Sequence, residues 1–199
     1  MRRSILCAIG ALMGTVVAIP AHADQDESLY LNLGYSRLSI ESGTVAVAGT
    51  NVSISEADID AIVVRAGYDF SANVGIEFEY QTGLDSQTIE FGVDGETIRA
   101  KTSVEQLLGA FSRFRLPVAE EGSLHARLGY VSAEVELEDE AGRTVTATTI
   151  NEEGDDDAVA FGVGGEFAIG ENFGIRADWT RYNIDAGWNA LSIAGVLRF

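Results

Sequence analysis

The chain has 199 residues but only one cysteine, two prolines and two histidines, and each shortage excludes a class of protein. Cys7 and His22 fall in the first 23 residues, which have the layout of an export signal: Arg2 and Arg3, an apolar run from Ile5 to Ile19, then Ala21-His22-Ala23 as a cleavage site. That run is shorter than the roughly 20 residues a membrane helix needs. Cys7 precedes most of it, the wrong place for lipoprotein processing. Cleavage after Ala23 leaves residues 24–199 without cysteine, which excludes disulfides and thiol chemistry. It also leaves His125 as the sole histidine, too few for a histidine-based metal cluster. Positive charge is scarce as well. With Arg2 and Arg3 removed, 11 of the 13 basic residues face all 31 acidic ones, a net charge of −20 that argues against nucleic acid as a partner. No later stretch approaches the length of a membrane helix.

What the chain does have is alternation. Apolar residues recur at every second place in runs near 29–35, 59–70, 73–82, 124–130, 159–167, 173–180 and 191–199. The cleanest sets Val74, Ile76, Phe78 and Tyr80 against Gly75, Glu77, Glu79 and Gln81. A further run, 103–115, carries apolar residues on both faces, so its facing stays open. Each run is about as long as a tilted strand that crosses a bilayer. The connections after the first, third and fifth runs are long (near 39–58, 84–102 and 138–157), whereas those between are short, at Phe70-Ser71-Ala72-Asn73, Pro117 to Ser123 and Gly170-Glu171-Asn172. Long loops at one end and tight turns at the other predict an all-β fold: an eight-stranded antiparallel up-and-down transmembrane β-barrel. A soluble sandwich or lipocalin-like barrel would instead turn the apolar faces inward. Glycines on the charged faces and aromatics at strand ends weigh against it.

With its strand pattern, its Gly-Tyr pairs (Gly34-Tyr35, Gly67-Tyr68, Gly129-Tyr130) and the terminal Phe199, the chain resembles the small eight-stranded outer-membrane barrels, the OmpA-transmembrane-domain and OmpX-like group. The resemblance implies residence in a Gram-negative outer membrane, lipid and lipopolysaccharide as surroundings, and a C-terminal strand read by the barrel-assembly machinery. It implies long loops outside the cell and both termini in the periplasm. The chain stops at Phe199 with no peptidoglycan-binding domain after it, so wall anchoring is not expected.

If the apolar faces meet lipid, Arg65, Asp69, Glu77, Glu79, Arg127, Glu166, Arg176 and Asp178 line the lumen. Charges there are costly unless paired. The expected pairs are Arg65 with Glu77 and Glu79, Arg127 with Glu166, and Glu166 with Arg176. These form a polar plug, or line a narrow channel if some pairs open. Tyr68, Phe70, Tyr80, Tyr130, Trp179 and Phe199 are the expected membrane-interface aromatics. Catalysis finds little support. Glu77 and Glu79 sit beside an arginine rather than flanking a substrate, and His125 has no serine two residues on, as a lipid A deacylase or acyltransferase site would want. The Gly162-Val163-Gly164-Gly165 run opens no helix, so it is no phosphate loop. No cofactor or metal is expected.

The long connections carry strand-like sequence of their own. Two β-rich runs flank Asp94-Gly95, a hairpin signal, and 131–138 and 143–150 flank Asp139 to Gly142. They are expected to project as a sheet, similar to the protruding edge of OmpX-like barrels, to which adhesion is attributed. The third connection is acidic (Glu134, Glu136, Glu138, Asp139, Glu140, Glu152, Glu153, Asp155, Asp156, Asp157) but lacks EF-hand spacing, so a solvated loop is the plainer expectation than a calcium site. The functional expectation is a non-enzymatic barrel contributing envelope structure and a surface for adhesion or for an extracellular protein. The alternative is a narrow porin-like channel for ions or small hydrophilic solutes.

Overall fold

The computed structural model describes residues 28–47, 50–54, 56–93, 96–139, 144–148, 158–184 and 187–199; for 43–47, 50–54, 89–93, 96–100, 136–139 and 144–148 it describes the backbone alone. The expected export signal, the Asp94-Gly95 turn and the acidic residues Glu140, Glu152, Glu153, Asp155, Asp156 and Asp157 lie outside the described residues. Twelve strands follow in order: β1 (Ser28–Ile40), β2 (Gly43–Val47), β3 (Thr50–Ile54), β4 (Ala57–Asp69), β5 (Val74–Gly83), β6 (Gln87–Val93), β7 (Glu96–Pro117), β8 (Gly122–Asp139), β9 (Thr144–Thr148), β10 (Ala158–Ala168), β11 (Phe173–Tyr182) and β12 (Trp188–Arg198).

Eight of them, β1, β4, β5, β7, β8, β10, β11 and β12, each pair antiparallel with the next, and β12 pairs back onto β1 from Tyr30↔Arg198 to Ile40↔Trp188. Closure gives every strand two neighbours, so no backbone N–H or C=O is left without a partner along an edge. Hydrocarbon demands that of any sheet that spans it. The short turns and both ends of the described chain share one end of the barrel, where the Phe199 amide donates to the Leu29 carbonyl at 2.9 Å. We call this the turn end and its opposite the loop end.

Side-chain polarity inverts along the strands. From the turn end to mid-barrel, outward residues are apolar and inward ones polar; Leu33 and Leu191 are each 65% exposed. On β1 the outward series runs Leu31, Leu33, Tyr35, then changes to Arg37 and Ser39, while the inward series runs Asn32, Ser36, then Leu38 and Ile40. On β4, Ile62 faces out where Asp60 and Asp58 precede it, and Ile59, Ala61 and Val63 face in ahead of Arg65 and Asp69. On β11, Trp179 gives way outward to Arg181, while Tyr182 is buried. Above this level the barrel is built like a soluble one, water outside and a dry centre. Leu38, Ile40, Ile59, Val104, Leu107, Phe111, Val131, Tyr182, Ile184 and Trp188 pack with six alanines into a core that fills the mouth at the loop end. Alternation leads to charged residues in the lumen; at this end the lumen is apolar.

The run with apolar residues on both faces is part of β7, and a β-bulge explains it. Val104 pairs with Val135 and Gln106 with Glu134, so Glu105 is an extra residue that shifts the alternation. Before the bulge the even positions Thr102 and Val104 are buried; after it the odd positions Leu107, Phe111 and Arg113 are buried, with Leu108 and Phe114 outward. No single period-two count fits both halves.

Beyond the loop end, β7 and β8 continue as a ladder that carries β6 and β9, and β3 and β2 extend it, giving the order β2-β3-β6-β7-β8-β9. The connection 39–58, expected as a loop, thus holds the β2–β3 hairpin.

Because Trp188 fills the mouth, Trp188→Ala should lower stability by roughly 3–5 kcal/mol, read by urea unfolding of the refolded protein in lipid vesicles. Leu191→Ala on the outward face, where surrounding chains close over the gap, should cost clearly less.

Candidate functional site

The lumen between the turn end and the apolar mouth holds two charge-balanced clusters. In the first, nearer the middle, Glu77, Glu79 and Asp178 meet Arg65, Arg127 and Arg176. Glu77 Oε1 accepts from Arg127 Nη1 at 2.9 Å, and its Oε2 accepts from Arg176 Nη1 at 2.5 Å and from the Tyr30 hydroxyl at 2.9 Å. Glu79 Oε2 takes Arg65 Nε at 2.6 Å and Arg127 Nη1 at 2.5 Å, while its Oε1 accepts from the Tyr182 hydroxyl at 2.7 Å and Gln81 Nε2 at 2.9 Å. Asp178 accepts from Arg176 Nε at 2.9 Å, from Arg65 Nη1 at 3.2 Å, and pairs with His125 Nε2 at 2.5 Å. Ser192 accepts from Arg65 Nη2 at 3.0 Å and Thr180 from Arg127 Nη2 at 2.5 Å, while Arg127 Nε is buried without a partner.

The second cluster lies toward the turn end. Arg113 reaches Asp69 at 3.2 Å and Glu166 at 3.0 Å, and Arg198 reaches the same two carboxylates at 3.1 and 2.6 Å. Tyr30 joins the clusters. Its hydroxyl donates to Glu77, while the guanidinium carbons of Arg113 and Arg198 lie 4.9 and 5.4 Å from its ring centre. The ring lies against Gly67, its register partner on β4, where a Cβ would overlap it. Gly164 likewise leaves the space that the His125–Asp178 pair fills.

All eight lumen positions derived from alternation are buried, but their pairing differs from two of the expected contacts. Arg65 does meet Glu79, with Glu77 at 3.9 Å. Arg127 does not pair with Glu166. Its register partner on β10 is Gly162, four residues from Glu166, so it turns across the barrel to Glu77 and Glu79. Glu166 stands opposite Arg176 in register, yet Arg176 goes to Glu77 and Asp178 and Glu166 is taken by Arg113 and Arg198. Arg113, Arg198, Tyr30 and Tyr182 also reach the lumen, beyond the eight residues that alternation indicates. Counting back from Phe199 or across from Leu31 would have placed Arg198 and Tyr30 inward, whereas Arg113 was hidden by the bulge. His125 has a carboxylate partner, but its Nδ1 is buried without one. Among the described residues no three His, Asp or Glu side chains form a group suited to a metal, and the lumen carboxylates are all held by arginine.

Of the aromatics expected at the membrane interface, Tyr68, Phe70 and Phe199 lie toward the turn end and Tyr80, Tyr130 and Trp179 toward the loop end. Tyr68 packs edge-on to Phe70 at 5.3 Å and Phe161 on Trp179 at 5.9 Å. Just above, Arg181 clasps Glu41 at 2.5 and 3.0 Å, with Asn189 on the same carboxylate at 2.9 Å. The hydrogen bonds from Arg181 and Asn189 hold the Glu41 carboxyl below its ordinary range.

A family model described as "Outer membrane protein beta-barrel domain" matches residues 9–199. The chain belongs to that family. Solved structures of the same fold include Ail of Yersinia pestis in complex with the heparin analogue sucrose octasulfate (15% identity, TM-score 0.58, covering 87% of this chain and 99% of Ail). They also include OprG of Pseudomonas aeruginosa (10% identity, TM-score 0.58, 87% and 96% covered) and the N-terminal β-barrel domain of OprF from the same organism (11%, 0.56, 88% and 100%). At these identities the likeness is one of fold. No curated protein matches. In outer-membrane barrels generally, short turns lie on the periplasmic side and long loops outside.

Two outcomes follow. Glu77→Gln leaves Arg127 and Arg176 short of their shared anion and should cost about 3–5 kcal/mol of stability in lipid, measured by denaturant titration. Glu41 has a depressed carboxyl, so its contribution is present above the ordinary carboxylate range and is lost as pH falls through its own lower midpoint. An NMR titration should find the Glu41 midpoint below that of exposed glutamates, and Arg181→Ala should raise it part of the way to theirs, the hydrogen bond from Asn189 keeping the rest.

Proposed function

We propose that this protein is a closed, non-enzymatic barrel, exported through a signal at residues 1–23, that stabilises the envelope and holds an extracellular β-sheet out as an interaction surface. One observation carries this reading: the lumen is filled along its length. The two arginine–carboxylate clusters occupy the periplasmic and middle portions, and Leu38, Ile59, Leu107, Phe111, Tyr182 and Trp188 occupy the extracellular mouth. An ion would have to break paired charges and then cross a dry apolar layer, and both steps are costly. Eight strands enclose only enough space for side chains. The carboxylates that could do acid–base work are committed to arginines, and His125 to Asp178.

The activity then lies outside, on the six-stranded extension. Lipopolysaccharide and outer-leaflet lipid surround the apolar belt, and the C-terminal strand serves recognition by the assembly machinery. Ail is described bound to a polyanion. Here the formal net charge is −18, which favours partners that are neutral or basic.

Planar-bilayer recordings of the protein purified from outer membranes should show no stable conductance steps. Reproducible steps that change in Arg127→Gln would overturn the closed reading in favour of a narrow channel.

A further inference from the structure

At the turn end, the rim of the lumen carries one cation more than its anions match. After the bulge the inward row of β7 runs Leu107, Phe111, Arg113, and Arg115 continues it to the rim, where it is half-buried. Its Nε donates to Ser123 Oγ at 3.1 Å, a neutral partner. The nearby carboxylates are taken: Asp69 and Glu166 each meet Arg113 and Arg198. Among the described residues no carboxylate lies within ion-pair distance of Arg115, and its two terminal guanidinium nitrogens have no hydrogen-bond partner. Ser123 stands opposite Glu166 in register, so Arg115 adjoins the balanced cluster and the rim holds three arginines to two carboxylates. A cation half-withdrawn from water beside two others is costly unless an anion joins it.

The backbone fixes this cation in place. Arg115 N donates to the Asn73 carbonyl at 2.8 Å, and Asn73 Nδ2 donates to the Arg115 carbonyl at 2.9 Å. Arg198 and Asn172 repeat the arrangement at 2.8 and 3.0 Å. Each asparagine follows a short turn and opens a similar run, Asn73-Val74-Gly75-Ile76 and Asn172-Phe173-Gly174-Ile175. The two clamped arginines differ in one respect. Arg198 gives its donors to Glu166, Asp69 and Ser28, whereas Arg115 keeps its terminal nitrogens free. Just inside, Arg113 lies over the Tyr30 ring and fills the lumen, so a group that joins Arg115 has to come from outside the rim.

We infer that Arg115 holds a phosphodiester anion at the rim, the group that lipid headgroups present at a bilayer surface. One unmatched positive charge calls for a monoanion, and the two free nitrogens of a planar guanidinium match two unesterified oxygens bidentately. The outer side of the same rim is apolar. Leu116, Val118 and Leu124 are 60%, 58% and 53% exposed there, a surface for the chains of a lipid whose phosphate reaches over the rim. Glu120 and Glu121, exposed on the connecting turn, oppose an anion of higher charge.

The test uses protein carrying isotope-labelled arginine, purified from outer membranes, delipidated in a maltoside detergent and kept in phosphate-free buffer. Dihexanoylphosphatidylglycerol should shift the Arg115 Nε–H NMR signal saturably and broaden the phosphorus resonance of the lipid. The signals of Arg37 and Arg181, each already on a carboxylate, should not move. Arg115→Gln should abolish the phosphorus effect. Arg115→Lys, which keeps the charge but not the fork, should weaken it about tenfold or more. Heat-modifiable migration shows whether each variant is folded, and the shift in the unaltered protein does not depend on any variant. Dimethyl phosphate is the second arm. Lipid binding about tenfold or more tighter than dimethyl phosphate assigns the site to a headgroup; equal binding assigns it to a dissolved phosphodiester. No saturable shift at Arg115, an equal shift with sodium chloride at matched ionic strength, or an unchanged phosphorus effect in the folded Arg115→Gln protein would each overturn the inference.

Discussion

The carboxylate of Glu77 is the point on which the barrel interior turns. Two arginines from β8 and β11 and a tyrosine from β1 converge on it, so strands from three sides of the wall are tied at one anion. Charges in so enclosed a place are tolerable only when each is matched, and the match here is three carboxylates to three arginines, with a second set of two to two. Tyr30 links the two sets by using its hydroxyl on one and its ring on the other. Glycine at position 67 follows from that ring, because the wall opposite has to be thin where a large side chain lies across it.

Above this network a different constraint governs. A strand residue faces either the surroundings or the lumen, and the surroundings change from hydrocarbon to water partway along the barrel. Outward polarity must then change from Tyr35 to Arg37 and from Ile62 to Asp60, and the interior can become apolar because water now lies outside. The same positions that seal the mouth, Val104, Val131, Ala133 and Val135, belong to β7 and β8, which run on without a break into the projecting sheet. Sealing and projection are therefore one structure: the core that closes the lumen is also the root that fixes the sheet to the membrane.

This division explains what could be read from the sequence. Alternation against a uniform medium is legible, and with it the strand count, the barrel, the lipid face of β5 and β8, and the inward positions of Arg65, Glu77 and Asp178. Pairings across the lumen are not, because they depend on where eight tilted strands bring side chains that are distant in sequence. Arg127 and Glu166 sit on adjacent strands yet four residues apart in register. Arg113 was hidden for a different reason: the extra residue at Glu105 switches the parity of β7, and a bulge leaves no mark in a pattern that counts by twos. The apolar mouth was hidden because Leu38, Ile59 and Trp188 look, as a composition, no different from residues that face lipid; only their parity relative to Leu33, Ile62 and Leu191 tells them apart.

A barrel that spends its interior on mutual neutralisation has no charge left inside to act on a solute, so its net negative charge is expressed on the outside. The lumen clusters hold equal numbers of carboxylates and arginines, and the chain still carries 31 acidic against 13 basic residues. Ten of those acids lie between 134 and 157, in and beyond the β8–β9 hairpin. Placing them there would be costly if the sheet needed to stack on its own kind, since like-charged faces repel. It is favourable if the sheet must stay single at high density in the membrane plane.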